Sequence, residues 1–328
     1  MSTETLTAQS GRHRVIALAK YIAVRYAMVL VLLVVIGYFM YRSARFATTD
    51  NVVTILVAAA PFALIALGQT LVILTGGIDL SVGSVIALSA MAGALAAKTF
   101  PDSIWLALVV AVLVGLAAGS INGFVVSVMK VPPFIATLGM LTLASGLAYV
   151  IGGGAPINGL PSEFGAIANT QFFGLTIPVI LMIVGIIGLG IVMRRTAWGM
   201  RVYAVGGNEL AARIAGVKTG RVLFSVYAIS GALAGLSGIM LASRVITGAP
   251  TLGQGYELDA IAAVVIGGAS LLGGRGTVWG TALGLLLIQT LNNGLDILTI
   301  PAYWQDVIKG VLIVAAVAVD VWAAKRRS

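Results

Sequence analysis

Gly235, Leu236, Ser237 and Gly238 spell a GxSG string, the setting in which a serine within a membrane can attack an acyl group if a nearby base takes its proton. That base is missing. The single histidine is His13, in a polar N-terminal stretch, so Ser237 is read as helix-packing material. With one histidine there can be no HExxH zinc site, and no GxGD string offers an aspartyl protease. Cysteine is absent, which removes thiol nucleophiles, thiolate metal sites and disulfides together. No lysine follows a glycine, so the loop that wraps nucleotide phosphates cannot be built. The sequence therefore argues against an enzyme and implies no metal site and no cofactor.

The remaining polar groups suit recognition or packing. Asp306 and Lys309 are the ionisable residues placed inside apolar runs; three positions apart, they share a helix face and can pair locally, the alternative being a relay for a coupling ion. Asp79 directly precedes Leu80 and Ser81 at an expected turn, where a carboxylate can cap the first amides of the next helix. Gln69, Asn122, Gln289, Asn292 and Asn293 lie within or at the ends of apolar runs. Burying an amide without a partner is costly, so each either satisfies a neighbouring helix or faces a pathway for a neutral polyhydroxyl solute.

Those residues must be positioned by membrane-spanning helices. Of 328 residues 59% are hydrophobic and 9% charged, with mean hydropathy +1.06; a soluble domain is about 25% charged. Lipid is the solvent that such a chain requires. About ten spans are expected: Tyr21 to Tyr41, Val52 to Thr75, Leu80 to Ala97, Ile104 to Met129, Phe134 to Gly152, Phe172 to Met193, Val222 to Leu241, Leu258 to Leu272, Thr277 to Leu295 and Ala302 to Trp322. The eighth is short for a crossing. With a cytoplasmic N-terminus, this arrangement puts Arg12, Arg14, Lys20, Arg25, Lys130, Arg194, Arg195, Arg201, Arg213, Lys218, Arg221, Arg275, Lys325, Arg326 and Arg327 inside. Only Arg42, Arg45, Lys98 and Arg244 fall outside. The asymmetry fits one orientation, with both termini cytoplasmic, so the net charge of +9 is a topology signal and not a nucleic-acid footprint. The expected organisation is a tail over 1–20, one membrane domain over 21–322 with a basic cytoplasmic loop near 194–221, and a basic tail over 323–328. No signal-peptide cleavage site follows the first run.

Glycines recur every fourth residue at Gly115, Gly119 and Gly123, at Gly231 and Gly235, and at Gly276, Gly280 and Gly284. Such faces let helices approach closely, within one subunit or across a dimer. A GGxxLxxG pattern occurs twice, at Gly76, Gly77, Leu80 and Gly83 and at Gly267, Gly268, Leu271 and Gly274, and suggests an internal repeat. In the basic loop, Asn208 can cap a short helix through Ala211, Ala212 and Ala215 that Gly216 ends.

The segment Gly206 to Gly238, GGNELAARIAGVKTGRVLFSVYAISGALAGLSG, resembles the coupling region of binding-protein-dependent ABC importer permeases. The segments Gly68 to Val85, Val131 to Met140 and Val264 to Thr277 resemble the ribose, galactose, arabinose and xylose branch, in that family's order. The older EAA signature is partly kept: Ala211, Ala212 and Gly216 fit, Leu210 stands where glutamate is expected, and Glu209 is one residue early. The resemblance implies an all-α, type II-like permease bundle in the bacterial inner membrane, working as a homodimer. It also implies two partners: a separate ABC ATPase that grips the loop at Asn208, Glu209, Ala211, Ala212 and Gly216, and an extracytoplasmic sugar-binding protein. Exposed Arg42, Arg45 and Arg244 are candidates for docking acidic residues of that binding protein. A branched-chain amino acid permease of the same architecture is the alternative, followed by a secondary carrier acting alone.

Overall fold

The computed structural model of the protein describes residues 27–325; His13 and the basic residues Arg12, Arg14, Lys20, Arg25, Arg326 and Arg327 lie outside them, as do the tail over 1–20 and the start of the first expected span. The chain is a multi-pass helical bundle. In order it forms α1 (Ala27–Arg42), α2 (Thr49–Leu74), α3 (Val82–Thr99), α4 (Ile104–Ser127), α5 (Pro133–Ile151), a two-stranded hairpin of β1 (Gln171–Phe172) and β2 (Leu175–Thr176), and α6 (Ile177–Arg195). Then come α7 (Ala197–Gly207), α8 (Glu209–Ile214), α9 (Thr219–Val245), α10 (Tyr256–Ile266), α11 (Val278–Ile297) and α12 (Ala302–Lys325). Among the described residues six helices, α2 to α6 and α9, are long and apolar enough to cross a membrane.

Two of them form the axis. α2 and α9 have 26 and 27 residues, about 40 Å each at 1.5 Å per residue, against roughly 30 Å of hydrocarbon. Every residue of α2 from Ala59 to Leu74 is buried, as expected of a helix apolar on all sides and enclosed by others. α4, α5 and α6 instead turn Leu113, Ile121, Leu143, Val150, Val184 and Ile191 outward, which marks the surface for lipid contact.

Glycine decides how α4 meets α9. A Cβ on Gly115 would land on the Gly231 carbonyl and come within 2.7 Å of the Gly235 Cα, and one on Gly119 within 2.9 Å of the Gly231 Cα. Gly123 lies likewise on Phe224, so the two helices run antiparallel, backbone on backbone. Gly280 and Gly284 meet Gly267 and Ala263 in the same way, joining α11 to α10. All three glycine faces are thus used for packing within the chain.

These contacts define two ends. At one lie Leu74, α7, α8 and the start of α9, since Gly206 abuts the Leu74 carbonyl and Gly274 N donates to it at 2.9 Å. At the other lie the start of α2, the β hairpin and the end of α9. The two GGxxLxxG turns touch at the α8 end, where a Cβ on Gly273 would come within 3.0 Å of Gly76. The last glycines of the two patterns part: Gly83 is inside α3, Gly274 remains in the turn.

The expected eighth span is corrected. Its helix is the 11-residue α10, about 16 Å long, and its supposed second half is the glycine-rich turn Gly267 to Gly276. The positive φ of Gly268, Gly273, Gly274 and Gly276 is a conformation that ends a helix regardless of hydropathy.

Candidate functional site

The interior contains two breaks. After α2 the chain turns at Gly76, φ +80°, and doubles back, extended, along α9 through Ser81. Gly77 sits against the Tyr227 hydroxyl and Gly68 against Ser230. Only at Val82, well above the α8 end, does α3 begin. Asp79 braces this stretch and is 1% exposed. Its carboxylate accepts from Ser81 N at 2.9 Å, from Ser81 Oγ at 2.6 Å and from Ser230 Oγ at 3.3 Å. Asn122 Nδ2 donates to Ser81 Oγ at 2.9 Å, and Thr137 Oγ1 to the Ile78 carbonyl at 3.1 Å. Irregular backbone at membrane depth survives only where protein satisfies it, and here α4, α5 and α9 all contribute. The capping expectation for Asp79 is corrected accordingly: it holds Ser81 ahead of α3, deep among helices and not at an end of the bundle.

The second break follows α9. Ile246, φ +50°, opens a descending segment. It is paired at Gly248 with Ile157 by bonds of 2.7 and 3.1 Å, then pressed against α3, where a Cβ on Gly253 would come within 3 Å of Ile86. α10 starts at Tyr256, whose ring meets Phe62, midway along α2, edge-on at 5.4 Å. From there it runs to the α8 end, where Val264 and Val265 pack with Ile73. α3 and α10 therefore start at similar depth and run in opposite directions, α3 with 18 residues and α10 with 11. Their first turns meet, because the Glu257 carboxylate lies directly on Gly83, where a Cβ would collide with it.

At this meeting point is a cavity of about 220 Å³. Its polar groups are the hydroxyls of Ser84, Ser145, Tyr149 and Thr251, the Gln254 amide and the Glu257 carboxylate. The amino ends of two helices supply partial positive charge, and the side chains supply acceptors and donors in all directions. Such a lining can replace the water around several hydroxyls of a small solute. None of the five expected pathway amides lines it. Asn122 belongs to the Asp79 network, and Asn293 Nδ2 donates to Asn51 Oδ1 at 2.8 Å, tying α11 to the start of α2. Gln69 is wholly buried with no hydrogen-bond partner, on the α2 face that includes Ile73. Gln289 is buried in α11, and Asn292 borders a narrow gap between α10, α11 and α12.

Sequence reading missed the cavity residues because Glu257 stands one position before the expected eighth span, among turn residues. A usable signal was the run Gly248, Pro250, Gly253 and Gly255, glycine and proline interrupting apolar sequence. Asp259, which lay inside that expected span, was also passed over. Lys309 pairs with Asp306 at 3.1 Å as expected, but also with Asp259 at 3.3 Å, which fastens α12 to α10.

At the α8 end, Asn208 Oδ1 accepts from Ala211 N at 2.9 Å, and Gly216, φ +84°, closes the helix with Val217 N donating to the Ala212 carbonyl at 3.0 Å. Glu209 pairs with Arg213 at 2.9 Å and accepts from Thr219 Oγ1 at 3.1 Å. Ala212 faces inward, whereas Leu210 and Ile214, 66% and 81% exposed, project outward one turn apart. These two, at i and i+4, form an exposed apolar pair that the alanine pattern did not reveal. Beneath α8, Tyr203 donates to the Gly276 carbonyl at 3.0 Å. Burial pushes its phenol up, against the Arg194 guanidinium nearby, and so keeps it a donor. Arg42, Arg45 and Arg244 are all exposed at the hairpin end, the first two between α1 and α2 and the third in the last turn of α9.

A multi-pass bundle in which two opposed helices begin at an interior polar cavity is the architecture of a solute permease. Residues 51–317 match the family described as the permease component of branched-chain amino acid transport systems, and the chain belongs to that family. Among its relatives, a ribose import permease of Bacillus subtilis is 43% identical over 82% of this chain and 84% of its own. A D-allose transport system permease of Escherichia coli is 36% identical over 90% and 91%. A fructose import permease of Rhizobium meliloti is 36% identical over 91% and 85%. No solved structure matches the chain.

Proposed function

We propose that the chain is the transmembrane permease subunit of an ATP-driven importer that moves a small sugar, a pentose or hexose, across a bacterial inner membrane. The observation that carries this reading is the cavity between α3 and α10, whose hydroxyls, amide and single carboxylate suit a neutral polyhydroxyl solute. The names of the ribose, allose and fructose permeases support it. The α8 end faces the cytoplasm, where the loop over 194–221 presents Leu210 and Ile214 beside Asn208, Glu209, Ala211, Ala212 and Gly216 to a separate ATPase. The hairpin end faces outward and receives a sugar-loaded binding protein, with Arg42, Arg45 and Arg244 meeting acidic residues on it. Two copies work together, alternating access to the cavity as the ATPase opens and closes.

A second reading, a branched-chain amino acid as solute, draws on the family description and on Glu257, which can receive an ammonium group. The cavity lining has no cation for the opposing carboxylate, and Lys309 nearby is engaged by Asp259 and Asp306. Uptake of radiolabelled sugars and amino acids into proteoliposomes containing this chain, its ATPase and its binding protein, with and without internal ATP, decides between them. One sugar taken up only with all three components and ATP is the expected result. Uptake of an amino acid selects the second reading, and uptake by the chain alone down a gradient overturns both.

A further inference from the structure

Three cations converge beside α8 without partners. Arg201 of α7, Lys218 and Arg221 at the start of α9 line one open cavity of about 520 Å³ together with Trp198, Val222 and Ser225. No carboxylate lines it. The ion pairs among the described residues involve Arg213 and Lys309 only, so none of these three cations is paired within the described residues. A built anion site is its simplest use.

A second space of different chemistry shares the Trp198 wall with this cavity. Trp198, whose Nε1 donates to Ser225 Oγ at 2.9 Å, also lines a groove of about 650 Å³ formed with Leu67, Val184, Gly188, Leu189, Ile229 and Leu233. Val222, Ser225, Ile229 and Leu233 follow one another at helical spacing, so a single face of α9 connects the cationic end to the apolar one. Tryptophan is the side chain that prefers the boundary between headgroup and hydrocarbon. A soluble anion would have no use for the groove, and a neutral lipid none for three free cations.

We propose that this composite site holds one anionic phospholipid per chain, its phosphate among Arg201, Lys218 and Arg221 and an acyl chain along α6 and α9. The test is native mass spectrometry of the purified chain in mild detergent, equilibrated with equal amounts of phosphatidylglycerol and phosphatidylcholine. The expected result is one retained phosphatidylglycerol per chain, reduced at least about tenfold by combined Arg201→Gln, Lys218→Gln and Arg221→Gln. Gly188→Phe, at a position where an added Cβ meets nothing within 4 Å, fills the groove and should cause a similar loss. Combined Lys130→Gln, Arg194→Gln and Arg195→Gln, exposed cations of the same end, should leave retention unchanged. Equal loss in that control means diffuse attraction and overturns the site. So do equal retention of phosphatidylcholine, displacement by glycerol phosphate as readily as by lipid, or a Gly188→Phe chain that loses self-association instead of lipid. The single glutamine variants, each expected to lose severalfold, keep the test decisive if the triple variant misfolds.

Discussion

In the proposed sugar site Glu257 is the residue to test first, because it is the one carboxyl group lining the cavity and rests on the bare backbone of Gly83. A carboxylate accepts two hydroxyl hydrogens from a sugar, and bonds to a charged group contribute about 1.5–3 kcal/mol each. Glu257→Gln keeps the volume and loses the charge, so uptake dependent on the binding protein should fall about tenfold or more, with the thermal unfolding midpoint held. Asp79 has a different task. Removing its carboxylate in Asp79→Ala leaves Ser81 and Ser230 without their acceptor inside the bundle, and should cost about 2–4 kcal/mol. Thermal unfolding in detergent would show it as a lower midpoint. Alanine at Gln69, Asn122, Gln289, Asn292 or Asn293 separates packing from pathway: the bond of Asn293 to Asn51 and of Asn122 to Ser81 predict loss of stability there with uptake nearly unchanged. Slowed uptake in stable variants would place those amides on the route instead.

At the scale of elements, α4 and α9 fit because five glycines leave room for the facing backbone. Gly231→Leu would drive a side chain into the Gly115 carbonyl and the Gly119 Cα, which no rotamer avoids, so that variant should fail to accumulate in the membrane. On α8, Leu210→Asp with Ile214→Asp should abolish stimulation of the partner ATPase and leave the fold intact, since both side chains point away from the bundle. The long helices were legible in the sequence because hydropathy and length determine them: the expected Val52 to Thr75 and Ile104 to Met129 are Thr49–Leu74 and Ile104–Ser127. α3 was legible in the same way, Leu80 to Ala97 against Val82–Thr99, whereas the short α10 was not, because an apolar count is blind to the glycine turn that ends it. The α8 cap was readable from local spacing alone. The partnership of Asp79 with Ser230 joins positions 151 apart, and Lys309 reaches Asp259 from another helix, so neither could be read from neighbours in sequence.

For the whole molecule, the sidedness assigned above can be tested without background, since the chain contains no cysteine of its own. Single cysteines at Phe173, fully exposed in the hairpin, and at Ile214 on α8 should react with an impermeant maleimide from outside the cell and only after permeabilisation, respectively. The reverse pattern would invert the orientation. Charge reversal at Arg42, Arg45 and Arg244 together should weaken stimulation of ATP hydrolysis by the binding protein; unchanged stimulation would remove the docking role. The pairing of α2 with α3 and of α9 with α10 has a further consequence. Each pair is one long helix, one doubled-back irregular segment and one further helix, and the second pair stands upside down beside the first. A solute resting on Glu257 and Gly83 would therefore sit where two helices leading to opposite faces of the bundle both begin.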